Sequence, residues 1–162
     1  MTSTVEFEKT IESVDMSVLE SNADVYIQEV DCSGVCSTNL ALAINEKYPD
    51  VFDLYKYKAS AIRRGRGRLG DAQIISCEDG KYICNLFVQS ATIHGDGIST
   101  NYEALFNALE TVSKYFSDKT IAIPYYMGCE DGRGKWALVY AIIEKIFQDT
   151  DNHIIICMDE ES

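Results

Sequence analysis

Hydrophobic and polar positions along the chain follow two rhythms, one of period two and one near 3.6, and the rhythms take turns. Val5 to Glu8 and Ile11 to Asp15 are expected as short opening strands. Asp24 to Val30, reading DVYIQEV, is expected as a buried strand rich in β-branched residues. From Asn39 to Lys47 the apolar residues Leu40, Ala43 and Ile44 recur at helical spacing, and Pro49 opens a second helix presenting Val51, Leu54 and Tyr57. Ala72 to Cys77 and Tyr82 to Val88 are the next strand candidates, joined by a turn around Asp79-Gly80.

Thr100 and Glu103 stand three apart as a capping box ahead of a helix that stacks Tyr102, Leu105, Phe106, Leu109, Val112 and Phe116. Ile121 to Pro124 is a short strand. A loop from Met127 to Lys135 leads into a helix with Trp136, Val139, Ile143, Ile146 and Phe147 on its inner side, and His153 to Cys157 is the last strand. Such alternation predicts an α/β chain with a three-layer α/β/α architecture around a central sheet. Residues 1–162 are expected as one domain, with residues 159–162 as a frayed acidic tail. Ligands of such folds sit beyond the strand ends, where loops run into helix N-termini. That directs attention to Asp31 to Asn39 and to Met127 to Gly134.

Composition adds little to this picture and charge adds more. Hydrophobic residues make up 46% and charged residues 25%, and with only two prolines no linker divides the chain. The net charge of −12 argues against general affinity for nucleic acid or an anionic membrane. It leaves a nucleotide ligand open, because backbone amides hold phosphates without cationic side chains. A protein partner also stays open. Six cysteines occur without a CxxC pair or zinc-type spacing, no apolar leader precedes them, and a cytoplasmic chain with reduced thiols is expected. Neither His94 nor His153 has metal-ligand company in sequence, so neither a metal nor a cofactor is expected.

Gly65-Arg66-Gly67-Arg68-Leu69-Gly70 fits GxGxxG, yet it follows a helix and precedes a strand, the reverse of a dinucleotide fingerprint. Arg63, Arg64, Arg66 and Arg68 instead form a basic arm on an acidic chain. It reads either as a solvated loop or as a docking strip for a phosphate or an acidic partner.

The segment ADVYIQEVDCSGVCSTNLALAINEKYPDVF, followed in order by LGDAQI, NLF-x-Q, TNYEAL and GCEDGRGKW, resembles the macro domains. The likeness is to their short single-domain, phage-type branch related to ADP-ribose 1″-phosphate phosphatases, and it covers roughly residues 11–157. It implies a mixed central sheet and a small-molecule nucleotide ligand of the ADP-ribose class. By that resemblance Asp15 and the Met16 amide face adenine, although a solvated aspartate at a helix cap would look the same in sequence. The first loop brings Gly34, Val35, Ser37 and Asn39 to the ligand. The distal loop brings Gly128, Cys129, Gly132 and Arg133 to a diphosphate.

The first loop departs from the family pattern Asn-Cys-Gln-Gly-Val-Met-Gly-Ser-Gly-Val-Ala. Asp31 replaces the donor amide of the asparagine with a carboxylate, and Ser37 and Asn39 stand at glycine positions. The lysine nucleophile of the de-ADP-ribosylating branch falls near Gln89, and that branch's acid falls near Gly132, beside Asp131. Asp31 and Asp131 are therefore the candidate catalytic residues. Three readings stay open: a hydrolase acting on ADP-ribose 1″-phosphate or an ADP-ribosyl linkage, a non-catalytic module that sequesters or senses a nucleotide, and a scaffold that has lost the ligand.

Overall fold

A computed structural model of the chain describes residues 11–36, 38–91, 98–125, 127 and 135–158. The expected strand Val5 to Glu8, the loop around His94, the acidic tail and most of the distal loop lie outside these residues. The strands are β1 (Ile11–Val14), β2 (Val25–Asp31), β3 (Ala72–Ser76), β4 (Tyr82–Ala91), β5 (Ile98–Thr100), β6 (Thr120–Pro124) and β7 (His153–Cys157). The helices are α1 (Asn39–Lys47), α2 (Pro49–Arg63), α3 (Tyr102–Tyr115) and α4 (Trp136–Phe147).

One seven-stranded sheet runs in the order β1-β7-β6-β2-β4-β3, with β5 on β4. The five strands from β1 to β4 in that order are parallel, whereas β3 and β5 run antiparallel to β4, so the sheet is mixed. Strand alternation sorts the apolar side chains onto both faces. Val25 and Ile27 pack on the α3 and α4 side with Leu105, Leu109, Ile143 and Phe147. Tyr26 packs on the other side with Ile44 of α1 and Val51 of α2, and Val30 with Tyr55 and Ala59 of α2. Helices thus cover both faces, the three-layer arrangement expected from the alternation of elements.

A polar seam crosses the α2 side. The buried Gln28 amide donates to Asn85 Oδ1 at 2.7 Å, Asn85 donates to Gln73 Oε1 at 3.0 Å, and Gln73 donates to the Leu54 carbonyl at 2.9 Å. It ties β2, β4, β3 and α2 into one unit.

Two local expectations need correction. The second helix buries Val51, Tyr55 and Ala59, while Leu54 is 43% and Tyr57 72% exposed. The sheet accepts the i, i+4, i+8 stripe, and Leu54 and Tyr57 lie off it. The cap of α3 is Asn101, one residue after the expected Thr100: its side chain accepts from the Ala104 amide at 2.9 Å. Thr100 is still in strand, bonded to Glu29 Oε2 at 3.4 Å, because β5 pairs with β4 up to that residue.

Candidate functional site

The parallel strands point the same way, so Val14, Asp31, Ala91, Pro124 and Cys157 all end at one edge of the sheet. Along that edge one gap opens. Strands β2 and β6 pair only at Val25–Ile121 and Tyr26–Ala122, whereas β2 continues against β4 to Asp31 and β6 continues against β7 to Pro124. The chain leaves β2 toward β4 and β3, and leaves β6 toward β7 on the opposite side. Such a reversal of winding is where open α/β sheets form a ligand crevice. The described residues of the first loop, 32–36 and 38, follow β2 on one side of this crevice, and Tyr125 follows β6 on the other.

The first loop is built by short bonds and held from beneath by α2. Asp31 Oδ1 accepts from the Ser33 amide at 2.9 Å and the Ser33 hydroxyl at 2.6 Å, and Ser33 Oγ in turn accepts from the Val35 amide at 3.1 Å. Gly34 turns the chain with φ +85°, a conformation that favours glycine, and its amide donates to the Tyr55 hydroxyl at 3.1 Å. That hydroxyl lies 3.0 Å from the Asp31 carbonyl and 3.1 Å from its Oδ1. The Arg63 guanidinium donates to the Cys32 carbonyl. Burial first, and the Asp31 carboxylate second, push the Tyr55 hydroxyl up to about 12, so it stays a neutral donor. Burial and then the same carboxylate raise the Cys32 thiol, which disfavours the thiolate.

Among the sequence-predicted ligand residues, Gly34 and Val35 stand on this loop, with Val35 66% exposed, and Asn39 directly follows it. Asn39 is the first residue of α1, whose N-cap Thr38 accepts from the Ala41 amide at 3.0 Å. The amides of this helix N-terminus lie at the crevice edge. Asp15 and Met16 follow β1 on the same edge, both exposed, with β7 and β6 between them and β2. Three interstrand steps make that separation roughly 14 Å. Ser17 and Glu20 exchange hydrogen bonds there at 3.2 and 3.3 Å, and Val18 is the N-cap of the short helix Leu19–Ser21, so Asp15 is not the capping residue.

Ser37, Gly128, Cys129, Asp131, Gly132 and Arg133 lie outside the described residues. The two described ends of the distal loop are anchored. Met127 is buried in the α3 and α4 core, and the Lys135 amide donates to the Tyr102 hydroxyl at 3.1 Å. Behind it, Trp136 meets Tyr125 edge to face with ring centroids 4.9 Å apart.

Sequence reasoning missed Tyr55 and the anchoring role of Arg63. The 51/55/59 spacing was a usable signal for Tyr55, whereas nothing in sequence distinguishes Arg63 from the other arginines of the arm. Gln89, near which the lysine of the resembled branch falls, donates to Glu29 Oε1 at 2.6 Å.

A separate surface cavity of about 420 Å³ lies where the α1–α2 corner meets the β3–β4 turn, lined by Tyr48, Val51, Ile75, Cys77 and Asp79 among others. That turn feeds the N-terminal end of β4, so the cavity opens at the sheet edge opposite the crevice. Tyr48 donates to Asp79 there at 2.7 Å, which holds the Asp79 carboxyl below its ordinary value.

No family model and no curated protein matches the sequence. Solved structures do match. The macrodomain of Mycobacterium tuberculosis DarG superposes with a TM-score of 0.69 at 19% identity, covering 94% of this chain and 98% of that one. Thermosipho africanus DarTG in complex with ADP-ribose gives 0.74 at 14% identity, over 96% of this chain and 43% of that one. The Oceanobacillus iheyensis macrodomain with ADP gives 0.65 at 16% identity, over 92% and 83%. At these identities the likeness is one of architecture, and the chain has the macrodomain fold.

Proposed function

We propose that the crevice between β2 and β6 binds a nucleotide of the ADP-ribose class, and that this chain is a binder first rather than an efficient hydrolase. The observation that carries the reading is the parting of β2 from β6 after two residue pairs, with the first loop following the end of β2. Two solved structures of the same fold are described as holding ADP-ribose and ADP. In this arrangement Asp15 and the Met16 amide would receive adenine. The α1 N-terminus, Gly34 and the distal-loop glycines Gly128 and Gly132 would receive the diphosphate through backbone amides. The distance from β1 to β2 suits an extended nucleoside diphosphate sugar.

Binding without rapid turnover follows from what the described residues offer. Asp31 Oδ1 is already engaged by Ser33 and Tyr55, the Cys32 thiol is raised away from the thiolate, and Gln89 is engaged with Glu29. The alternative reading, hydrolysis of ADP-ribose 1″-phosphate or an ADP-ribosyl linkage, would rest on Asp131.

Calorimetry against ADP-ribose, ADP-ribose 1″-phosphate and NAD tests the proposal. We expect saturable binding of ADP-ribose, weakened at least about tenfold by Gly128→Val, or about 1.4 kcal/mol. Absence of binding in the folded protein overturns the reading. Rapid phosphate release from ADP-ribose 1″-phosphate, abolished by Asp131→Asn, would replace it with the hydrolase.

A further inference from the structure

Four of the five arginines of the chain fall within residues 63–68, on a protein with 26 acidic and 14 basic residues. All four are exposed. Arg63 is spoken for by the Cys32 carbonyl. The side chains of Arg64, Arg66 and Arg68 form no ion pair or hydrogen bond among the described residues. An acidic protein that needed these charges only for internal pairing would have carboxylates against them.

The backbone beneath them is fixed. Gly65 bonds back to Ile62 at 3.0 Å, Arg66 to Ala61 at 2.8 Å, and Gly70 to Phe87 at 2.7 Å. Asp71 Oδ2 accepts from the Arg68 amide at 3.1 Å and from Lys58 at 3.0 Å. Gly67 sits so close to this wall that a Cβ would come within 2.9 Å of Ile62 Cγ1 and 3.1 Å of Asp71 Oδ2. The negative end of the α2 dipole accounts for cations at Arg63 and Arg64, because that influence fades beyond the last turn. Arg66 and Arg68 lie past it and have no such reason to be there.

We infer that Arg64, Arg66 and Arg68 form a docking strip for an acidic segment of a partner protein, delivered beside the first loop of the crevice. Guanidinium groups on a held backbone suit carboxylates, which they grip in bidentate fashion. The strip is short and the remainder of the chain strongly acidic. A long polyanion such as nucleic acid would meet the repulsion of a chain with net charge −12, whereas a short acidic peptide need engage only the arm. Docking itself does not depend on what occupies the crevice; its proximity to a nucleotide site rests on the preceding proposal.

The test uses the full chain and a short fluorescein-labelled peptide of alternating glutamate and glycine, read by anisotropy, beside a labelled oligo-dT of similar charge. We expect peptide binding that weakens at least about tenfold between low and physiological salt. The Arg64→Gln, Arg66→Gln, Arg68→Gln triple variant should lose peptide binding while keeping the wild-type thermal midpoint and ADP-ribose affinity. The matching triple lysine variant should retain part of it. No peptide binding by wild type, or equal binding by the glutamine variant, overturns the inference. Tighter arm-dependent binding of oligo-dT also overturns it, in favour of nucleic acid. Peptide binding with no ADP-ribose binding would leave the strip standing and remove the nucleotide reading alone.

Discussion

At Asp31 the Oδ1 oxygen gathers the Ser33 amide, the Ser33 hydroxyl and the Tyr55 hydroxyl, so the residue shapes the first loop. Asparagine would keep that acceptor oxygen and remove the charge. Asp31→Asn is therefore expected to change folding stability by less than about 1 kcal/mol. It should tighten ADP-ribose 1″-phosphate more than plain ADP-ribose, because a carboxylate ~5 Å from a phosphate costs up to about 3 kcal/mol at an effective dielectric near 20. Calorimetry with both ligands reads the difference; an equal change for the two would show that the carboxylate does not face the distal phosphate. Tyr55 makes a complementary case. Its ring stacks on Phe87 with centroids 5.8 Å apart, so Tyr55→Phe keeps the packing and deletes only the hydroxyl. Urea unfolding should report a loss of roughly 1–2 kcal/mol, and the Gly34 amide should exchange faster with deuterium. Unchanged exchange at Gly34 would count against the loop being held by Tyr55.

At the scale of elements, the helices show which local signals carry and which mislead. Helix α3 is capped by Asn101, so Asn101→Ala should cost about 1 kcal/mol, while Thr100→Ala should leave the cap intact. Chemical denaturation of the two variants separates them; a larger loss for Thr100→Ala would restore the capping-box reading. Both residues are good caps in sequence. The choice between them was made by β5, which keeps Thr100 in the ladder opposite Gln89. Helix α2 makes the same point through its face. Val51, Leu54 and Tyr57 fit a helical stripe as well as Val51, Tyr55 and Ala59 do, and only the position of the sheet selects the second. The seam from Gln28 through Asn85 and Gln73 to the Leu54 carbonyl was invisible for a related reason. Polar residues inside strand patterns look like surface positions until a partner in another element is known.

The whole molecule carries a net charge of −12, and its self-repulsion opposes the compact state. Raising sodium chloride from low to moderate ionic strength should therefore raise the thermal midpoint, by roughly 2–4 °C for each kcal/mol of repulsion screened. A midpoint that falls with salt would mean that internal ion pairs outweigh the net charge. Few such pairs are well placed: among the described residues Lys58–Asp71 at 3.0 Å is a part-buried bridge, and the others are more exposed. The same scale holds the site, since the crevice belongs to no single element. It exists because β2 and β6 pair at their starts and separate toward their ends.

By itself the order of residues determined the succession of the described strands and helices apart from β5, the three-layer class and the place of the first loop at the end of β2. These are legible because burial periodicity is local and because parallel strands put successive loops on the same side. The bounds of α1 and β7 were read as the structure has them. Only the tertiary structure decided that β2 and β6 part, that Tyr55 turns inward, and that Asp31 and Cys32 are gripped by residues 24 and 31 positions away. Hydrogen-bond partners at that distance are selected by packing, which brings together groups that no repeat along the chain relates.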